Sequence, residues 1–276
     1  MAVVHTGARV RSPLRSTFLR RSSVALLLVL VTACGSAAKR PPVGSLDPDK
    51  FLWERGTQAL NQKKWFTARE FFRQLVDSYP QSTYRADAKL GIGDSYLGEN
   101  TLEANVLAIN EYREFLSYYP THERANYAQY KLGMAHFYQM HGPERDQTET
   151  KEAIVELTTM IARYPTSKLV PEAKVHLREA RDRLSDSEFR VGFFYYRTRK
   201  WYPGAVDRFL AILKEDPEYT NRDGVYYYLA QSLLKVQRPA EALPYLERLI
   251  AEFQVSEYLP DAEKQVASIK AELVKK

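Results

Sequence analysis

Ala68-Arg69-Glu70-Phe71-Phe72-Arg73-Gln74-Leu75-Val76-Asp77-Ser78-Tyr79-Pro80 is the stretch that decides the fold. Ala68, Phe71, Phe72, Leu75, Val76 and Tyr79 stand at i, i+3, i+4, i+7, i+8 and i+11, the spacing of one apolar helical face. Pro80 ends that helix because proline lacks an N–H and restricts the residue before it. The alanine-to-proline interval of twelve recurs from Ala108 to Pro120, Ala153 to Pro165 and Ala205 to Pro217, and a fifth alanine, Ala242, has Gln254 where proline would stand. Large residues follow each alanine by four and seven places: Phe72 and Leu75, Tyr112 and Phe115, Leu157 and Met160, Phe209 and Ile212, Leu246 and Leu249. A small alanine at this place lets two helices approach closely where leucine would hold them apart.

Upstream of each alanine the pattern predicts a first helix carrying a small residue of its own. Gly56 and Ala230 precede their alanines by twelve places, Gly93 by fifteen and Gly133 by twenty, the excess in the last falling in the polar stretch His141 to Gln147. The series resembles the tetratricopeptide repeat and covers about residues 49–256. The expected fold is all-α, a right-handed superhelix of about five helix pairs, because each pair has an apolar face that only the next pair can cover. Two clusters are expected, repeats 1–3 over residues 49–170 and repeats 4–5 over residues 171–276. A long helix from Pro171 to Lys200 should join them, with Ser185-Asp186-Ser187 as the place where capping residues would break it.

The amino-terminal 33 residues read differently. Arg9, Arg11, Arg15, Arg20 and Arg21 precede the apolar run Val24–Val31, and Ala33 precedes Cys34, the sole cysteine of the chain. This is the order of an export signal, and the apolar run is far shorter than the roughly 20 residues of a spanning helix. Val31-Thr32-Ala33-Cys34-Gly35 resembles a bacterial lipobox, which implies a signal peptide over 1–33 and covalent lipid on Cys34. Residues 34–48, with three prolines, read as a lipidated flexible tether, and more than one acyl chain anchors durably. Gly35 is compatible with transfer to the outer membrane. One cysteine excludes an internal disulfide.

Charge and chemistry narrow the function. Five of the six net positive charges lie in the leader, so the remainder has little attraction for phosphate backbones and nucleic acid is not an expected partner. His5, His122, His136, His141 and His176 form no metal-ligand spacing, no phosphate loop or nucleophile elbow exists, and the carboxylates read as scattered, solvent-facing groups. No enzyme, no metal and no cofactor beyond the lipid on Cys34 are expected. The aromatic content, Tyr 19, Phe 12 and Trp 3, exceeds what the repeat positions consume. In this repeat type the first helices line the concave groove, and counting places Trp53, Tyr127, Met134, Phe137, Tyr138, Phe194, Arg197 and Tyr227 toward it. Packing between repeats is the competing reading for each aromatic. Arg208, three places past its alanine, reads from the sequence as a solvated charge.

The lipobox, the five repeats, Tyr119-Pro120-Thr121-His122, Arg145-Asp146-Gln147, and Arg181-Asp182-Arg183-Leu184 followed by Val191-Gly192-Phe193-Phe194-Tyr195-Tyr196 together resemble the BamD family, lipoproteins of the outer-membrane β-barrel assembly machine. The resemblance spans nearly the whole mature chain. It implies a non-catalytic scaffold on the periplasmic face of the outer membrane that aids folding and insertion of outer-membrane proteins. The implied partners are a barrel subunit with periplasmic POTRA domains, other assembly-machine lipoproteins and unfolded outer-membrane proteins. Docking falls to the carboxy-terminal repeats, with Arg208, Arg197 and Tyr227 as partner-binding residues. Substrate reception falls to the amino-terminal groove of Trp53, Tyr127, Met134, Phe137 and Tyr138. The chain departs from the family pattern by a one-residue excess before Tyr202, within Arg199-Lys200-Trp201, and by Gln254. The rival reading on the same fold is a pilotin-like or peptidoglycan-associated repeat lipoprotein that assists a secretin or cell-wall machine.

Overall fold

The computed structural model describes residue 41 and residues 46–274, so the leader, Cys34 and most of the tether lie outside the described residues. The described chain from Asp49 onward is one unit built wholly of helices. The first repeat is α1 (Pro48–Asn61) and α2 (Trp65–Ser78), and the second is α3 (Arg85–Glu99) and α4 (Leu102–Tyr118). The third is α5 (Ala125–Phe137) and α6 (Thr148–Arg163), and the fourth is α7 (Val170–Phe194) and α8 (Tyr202–Glu215). The fifth is α9 (Arg222–Lys235) and α10 (Pro239–Glu252), and α11 (Leu259–Val274) covers its open side. Each helix packs on its sequence neighbours, and first helices also touch across repeats, α3 on α5 and α5 on α7. Among the described residues no helix is long and apolar enough to cross a membrane.

A repeated steric lock holds each pair together. The five alanines Ala68, Ala108, Ala153, Ala205 and Ala242 are all fully buried. In the first four pairs the large residue four places after the alanine packs against the glycine of the first helix. A Cβ added at Gly56 would stand 2.5 Å from Phe72, at Gly93 2.8 Å from Tyr112, at Gly133 2.8 Å from Leu157, and at Gly192 2.7 Å from Phe209. Ala88, Ala128, Ala173, Val225 and Ala262, each twenty places after a repeat alanine, are buried as completely and let the next first helix close on the pair.

The ends of the second helices follow from the prolines. Tyr79, Tyr119, Tyr164 and Asp216 take φ between −126° and −137° with ψ between 52° and 75°, outside the helical region that proline disfavours for the residue before it. Phe253 does the same at −127° although Gln254 follows it, so the turn is set by the repeat's packing as well as by proline. Four of the turns are then tied to the first helix of their own repeat: Ser82 donates to Asp49, Asn126 to Ser167, Tyr219 to Asp186 and Ser256 to Asp223.

The long helix α7 runs unbroken through Ser185-Asp186-Ser187. Ser185 does not cap a helix end; its Oγ donates to Asp216 at 2.8 Å. The one-residue excess before Tyr202 is absorbed as a π turn, Tyr195–Arg199, at the end of α7. In repeats 1 and 5 a left-handed residue, Lys63 or Gln237, follows the small residue by seven places; in repeat 4 Lys200 follows Gly192 by eight. The additional residue lies inside the wider i→i+5 turn, and the lock on either side of it keeps its register.

Candidate functional site

The amino-terminal groove has a polar floor. Asp94, on α3, accepts hydrogen bonds at one oxygen from Tyr112 at 2.7 Å and Tyr127 at 3.0 Å. Burial raises the Asp94 carboxyl above its ordinary value, against the hydrogen bonds and the attraction of Lys131 and Arg124 that oppose it. Burial and the neighbouring carboxylate push both tyrosines up, so they are firmly protonated donors. The Tyr127 ring has two cations near it, with Arg124 4.8 Å and Lys131 5.4 Å from its centroid. Over this floor opens a cavity of about 310 Å³ whose walls include Leu60, Trp65, Leu97 and Tyr138. Trp65 reaches it because residue 98 is glycine: a Cβ there would meet the indole at 2.7 Å. The arrangement suits an apolar or aromatic side chain over a hydrogen-bonding base, which is binding chemistry.

The carboxy-terminal repeats present a different surface. Arg208 on α8 is about half exposed, with Nη1 3.3 Å from Glu188 of α7, an equally exposed carboxylate. Such a pair contributes about 0–1 kcal/mol and leaves most of the guanidinium free. At the end of α8 Asp216 is buried and bonded by Arg178, one of whose contacts measures 2.9 Å, and by Ser185. Burial works against the Asp216 charge, but the hydrogen bonds outweigh it and hold the carboxyl below its ordinary value.

The family described as YfiO, outer membrane lipoprotein, matches residues 46–242, from the first repeat into the last. The chain belongs to the YfiO family of outer membrane lipoproteins. Among YfiO relatives, the outer membrane protein assembly factor BamD of Caulobacter vibrioides is 27% identical over 231 residues, 82% of this chain and 74% of its own length. The same factor from Vibrio cholerae is 26% identical, covering 70% of this chain and 81% of its own length. Of solved structures, the TPR2AB domain of yeast Sti1 in its pHSP90 complex is similar at 13% identity and a TM-score of 0.44, covering 82% of this chain and 84% of that one.

Within this YfiO chain the expected groove residues part company. Tyr127 and Tyr138 share the cavity over Asp94. Trp53 is instead stacked on Tyr84, with centroids 5.0 Å apart, and Phe137 packs edge-on to His176 at 4.9 Å. Met134 is a correction: it is 2% exposed, in the core formed with Tyr130, Leu157, Met160 and Ala173, because α5 is covered on several sides at once. Among the docking residues, Arg197 is exposed on the π turn, and Tyr227 is stacked on Tyr258 at 4.6 Å with its hydroxyl donating to Asp261. Arg208, Arg197 and Tyr227 are thus held by different surroundings.

One further expectation needs correcting. The carboxylates are not all solvent-facing: Asp216 is buried and Asp94 partly buried, and each is bonded where it lies. His136, Glu152 and Glu156 bring ligand atoms within 4.8 Å of one another, a grouping on two helices that histidine spacing could not reveal. The cation for this group is already present, since the Arg113 guanidinium lies 3.3 Å from His136 Nε2, 3.8 Å from Glu152 and 3.7 Å from Glu156. Trp65 and Asp94 were missed by counting. A tryptophan facing a glycine one repeat on, Gly98, was the available signal.

Proposed function

We propose that this chain is a non-catalytic scaffold of the machinery that assembles proteins into the outer membrane, anchored by lipid on Cys34 at the periplasmic face. The observation that carries it is the family match across the repeats, with relatives named as outer membrane protein assembly factors. The geometry supports the same role. The groove over Asp94 is lined by aromatic side chains with hydroxyl and ammonium groups, suited to an extended segment of an unfolded outer-membrane protein. Arg208, weakly held by Glu188, is available to a carboxylate on a barrel subunit with POTRA domains, whereas the buried Asp216 is already paired with Arg178 of α7.

The test is capture of the barrel subunit from detergent-solubilised membranes by the full-length lipoprotein, beside Arg208→Glu. Docking predicts capture by the wild type and at least about a tenfold loss in the variant, the size of one charge-assisted pair at an interface. Capture of a secretin instead, or equal capture of the barrel subunit by both proteins, overturns the assignment of partner or of residue respectively. Mass spectrometry of the amino-terminal peptide reads the lipid on Cys34 directly.

A further inference from the structure

We propose that the cleft between the loop 141–147 and the end of α7 is a recognition site for an acidic peptide segment carrying one large apolar side chain. It stands apart from both the Asp94 groove and Arg208.

The loop wall is built rather than slack. Gln147, 8% exposed, donates from Nε2 to the carbonyls of Gly142 at 2.8 Å and Arg145 at 2.9 Å, and its Oε1 accepts from Thr150 at 2.8 Å. Asp146 accepts from the Thr148 amide and hydroxyl at 3.0 and 3.1 Å, opening α6. Arg183 donates to the His141 carbonyl at 3.0 Å, fastening the loop to α7. Two of the three residues in Arg145-Asp146-Gln147 are therefore spent on the loop's own shape, and Arg145 is left to line the cleft.

Across from it, Arg190, Val191 and Phe194 form the other wall of a cavity of about 340 Å³. Phe194 is 46% and Val191 36% exposed, an apolar floor that nothing in the described chain covers. The π turn brings Arg199 over the Phe194 ring, 5.9 Å from its centroid. The cations here lack the carboxylate that several other arginines hold. Arg69, Arg124, Arg178, Arg222, Arg238 and Arg248 each pair with a carboxylate. Among the described residues Arg145, Arg190 and Arg199 have none. The acid on the wall, Glu144, turns its carboxylate toward Gly142, where a Cβ would meet it at 3.0 Å. Guanidinium groups with unused donors around an apolar floor match carboxylates flanking a hydrophobic anchor. A walled cavity with that floor favours a peptide side chain over a lipid headgroup, which needs only the charge.

The experiment titrates a fluorescent, end-capped pentapeptide, one phenylalanine between two pairs of glutamates, into the full-length protein in neutral detergent, read by anisotropy. Saturable binding is expected, weakened about tenfold by Arg145→Glu, Arg190→Glu or Phe194→Ser, the loss of one charge-assisted contact or one anchor, and unchanged by Arg208→Glu. A peptide with serine for phenylalanine should bind about tenfold more weakly. Circular dichroism checks that each variant is folded, and Arg190→Gln serves if a charge reversal is not tolerated. The proposal is overturned by absence of saturable binding up to about 5 mM, or by affinity indifferent to all these variants. Equal binding of the serine peptide, with displacement by short-chain phosphatidylglycerol, also overturns it in favour of an anionic-lipid site.

Discussion

Replacing Gly192 by alanine should destabilise this protein, against the expectation from helix propensity. Within α7 the substitution gains about 1 kcal/mol of intrinsic helix preference. The new Cβ, however, would stand 2.7 Å from Phe209 Cε1. Phe209 is fully buried and has no space to retreat, with Phe189 at 5.6 Å and Tyr228 at 6.4 Å between ring centroids. Overpacking of this kind costs about 1–3 kcal/mol, and a 2.7 Å approach to a hemmed ring belongs at the upper end, leaving a net loss of about 1–2 kcal/mol. The decisive comparison is a double-mutant cycle with Phe209→Ala, which alone should cost about 3–5 kcal/mol through the cavity it leaves. In that background Gly192→Ala has nothing to strike and should stabilise by up to about 1 kcal/mol. Repeat stacks need not unfold in one step, so the urea midpoint should be read with amide hydrogen exchange in α7 and α8. Stabilisation by Gly192→Ala in both backgrounds would refute the steric lock as what joins the helices of a pair.

Other substitutions test the buried carboxylates and the groove. Asp216→Asn should cost about 1.5–3 kcal/mol, the scale of hydrogen bonds to a charged group, by chemical denaturation at pH 7. Because the folded-state pKa of Asp216 is lowered, the unfolded chain binds more protons between the two values. This part of the stability is present above the ordinary carboxyl pKa of 3.8 and lost as pH falls through the folded value, so the variant should show a shallower acid limb. Asp94 carries the opposite sign: its raised pKa means that stability is lost as pH rises through the folded value. Asp94→Asn should therefore flatten that loss and leave stability at pH 7 equal or higher; a marked drop would show that Tyr112 and Tyr127 need the charge. Trp65→Ala, at a partly exposed wall of the cavity, should weaken capture of unfolded outer-membrane protein segments about tenfold while leaving the circular dichroism spectrum unchanged.

The fold was legible because its decisive contacts are repeated at fixed spacing. An alanine, a large residue four places on, and a small residue upstream are one contact written four times over, and the structure puts Gly56 on Phe72 and Gly133 on Leu157. The groove was less legible because a first helix touches elements on several sides. On α5, Met134 is enclosed while Tyr138, four places on, is 52% exposed, and the count along the helix is the same for both. Asp94 read as an ordinary surface acid because its partners come from α4 and α5, eighteen and thirty-three residues away.

The π turn joins these two kinds of information. A one-residue excess between Gly192 and Ala205 had to appear either as a shifted lock or as a local widening. A shifted lock would replace Gly192 by a large residue under Phe209, with the clash just described, in a core where Phe209 is fully buried. A wider turn costs only local hydrogen-bond geometry at an exposed helix end. The widening is therefore the cheaper solution, and it explains why the irregularity in the spacing sits at the exposed end of α7, with Arg197 and Arg199 on the turn, instead of inside the core. Deleting Lys200 should restore the seven-residue interval seen in repeats 1 and 5 and return the turn to α-helical geometry. That variant should keep its thermal midpoint within a few degrees, since no buried contact is lost, and should remove the contact of Arg199 with Phe194. Collapse of the carboxy-terminal repeats on deletion would show that the excess residue is needed by the core, and the ordering of costs argued here would be wrong.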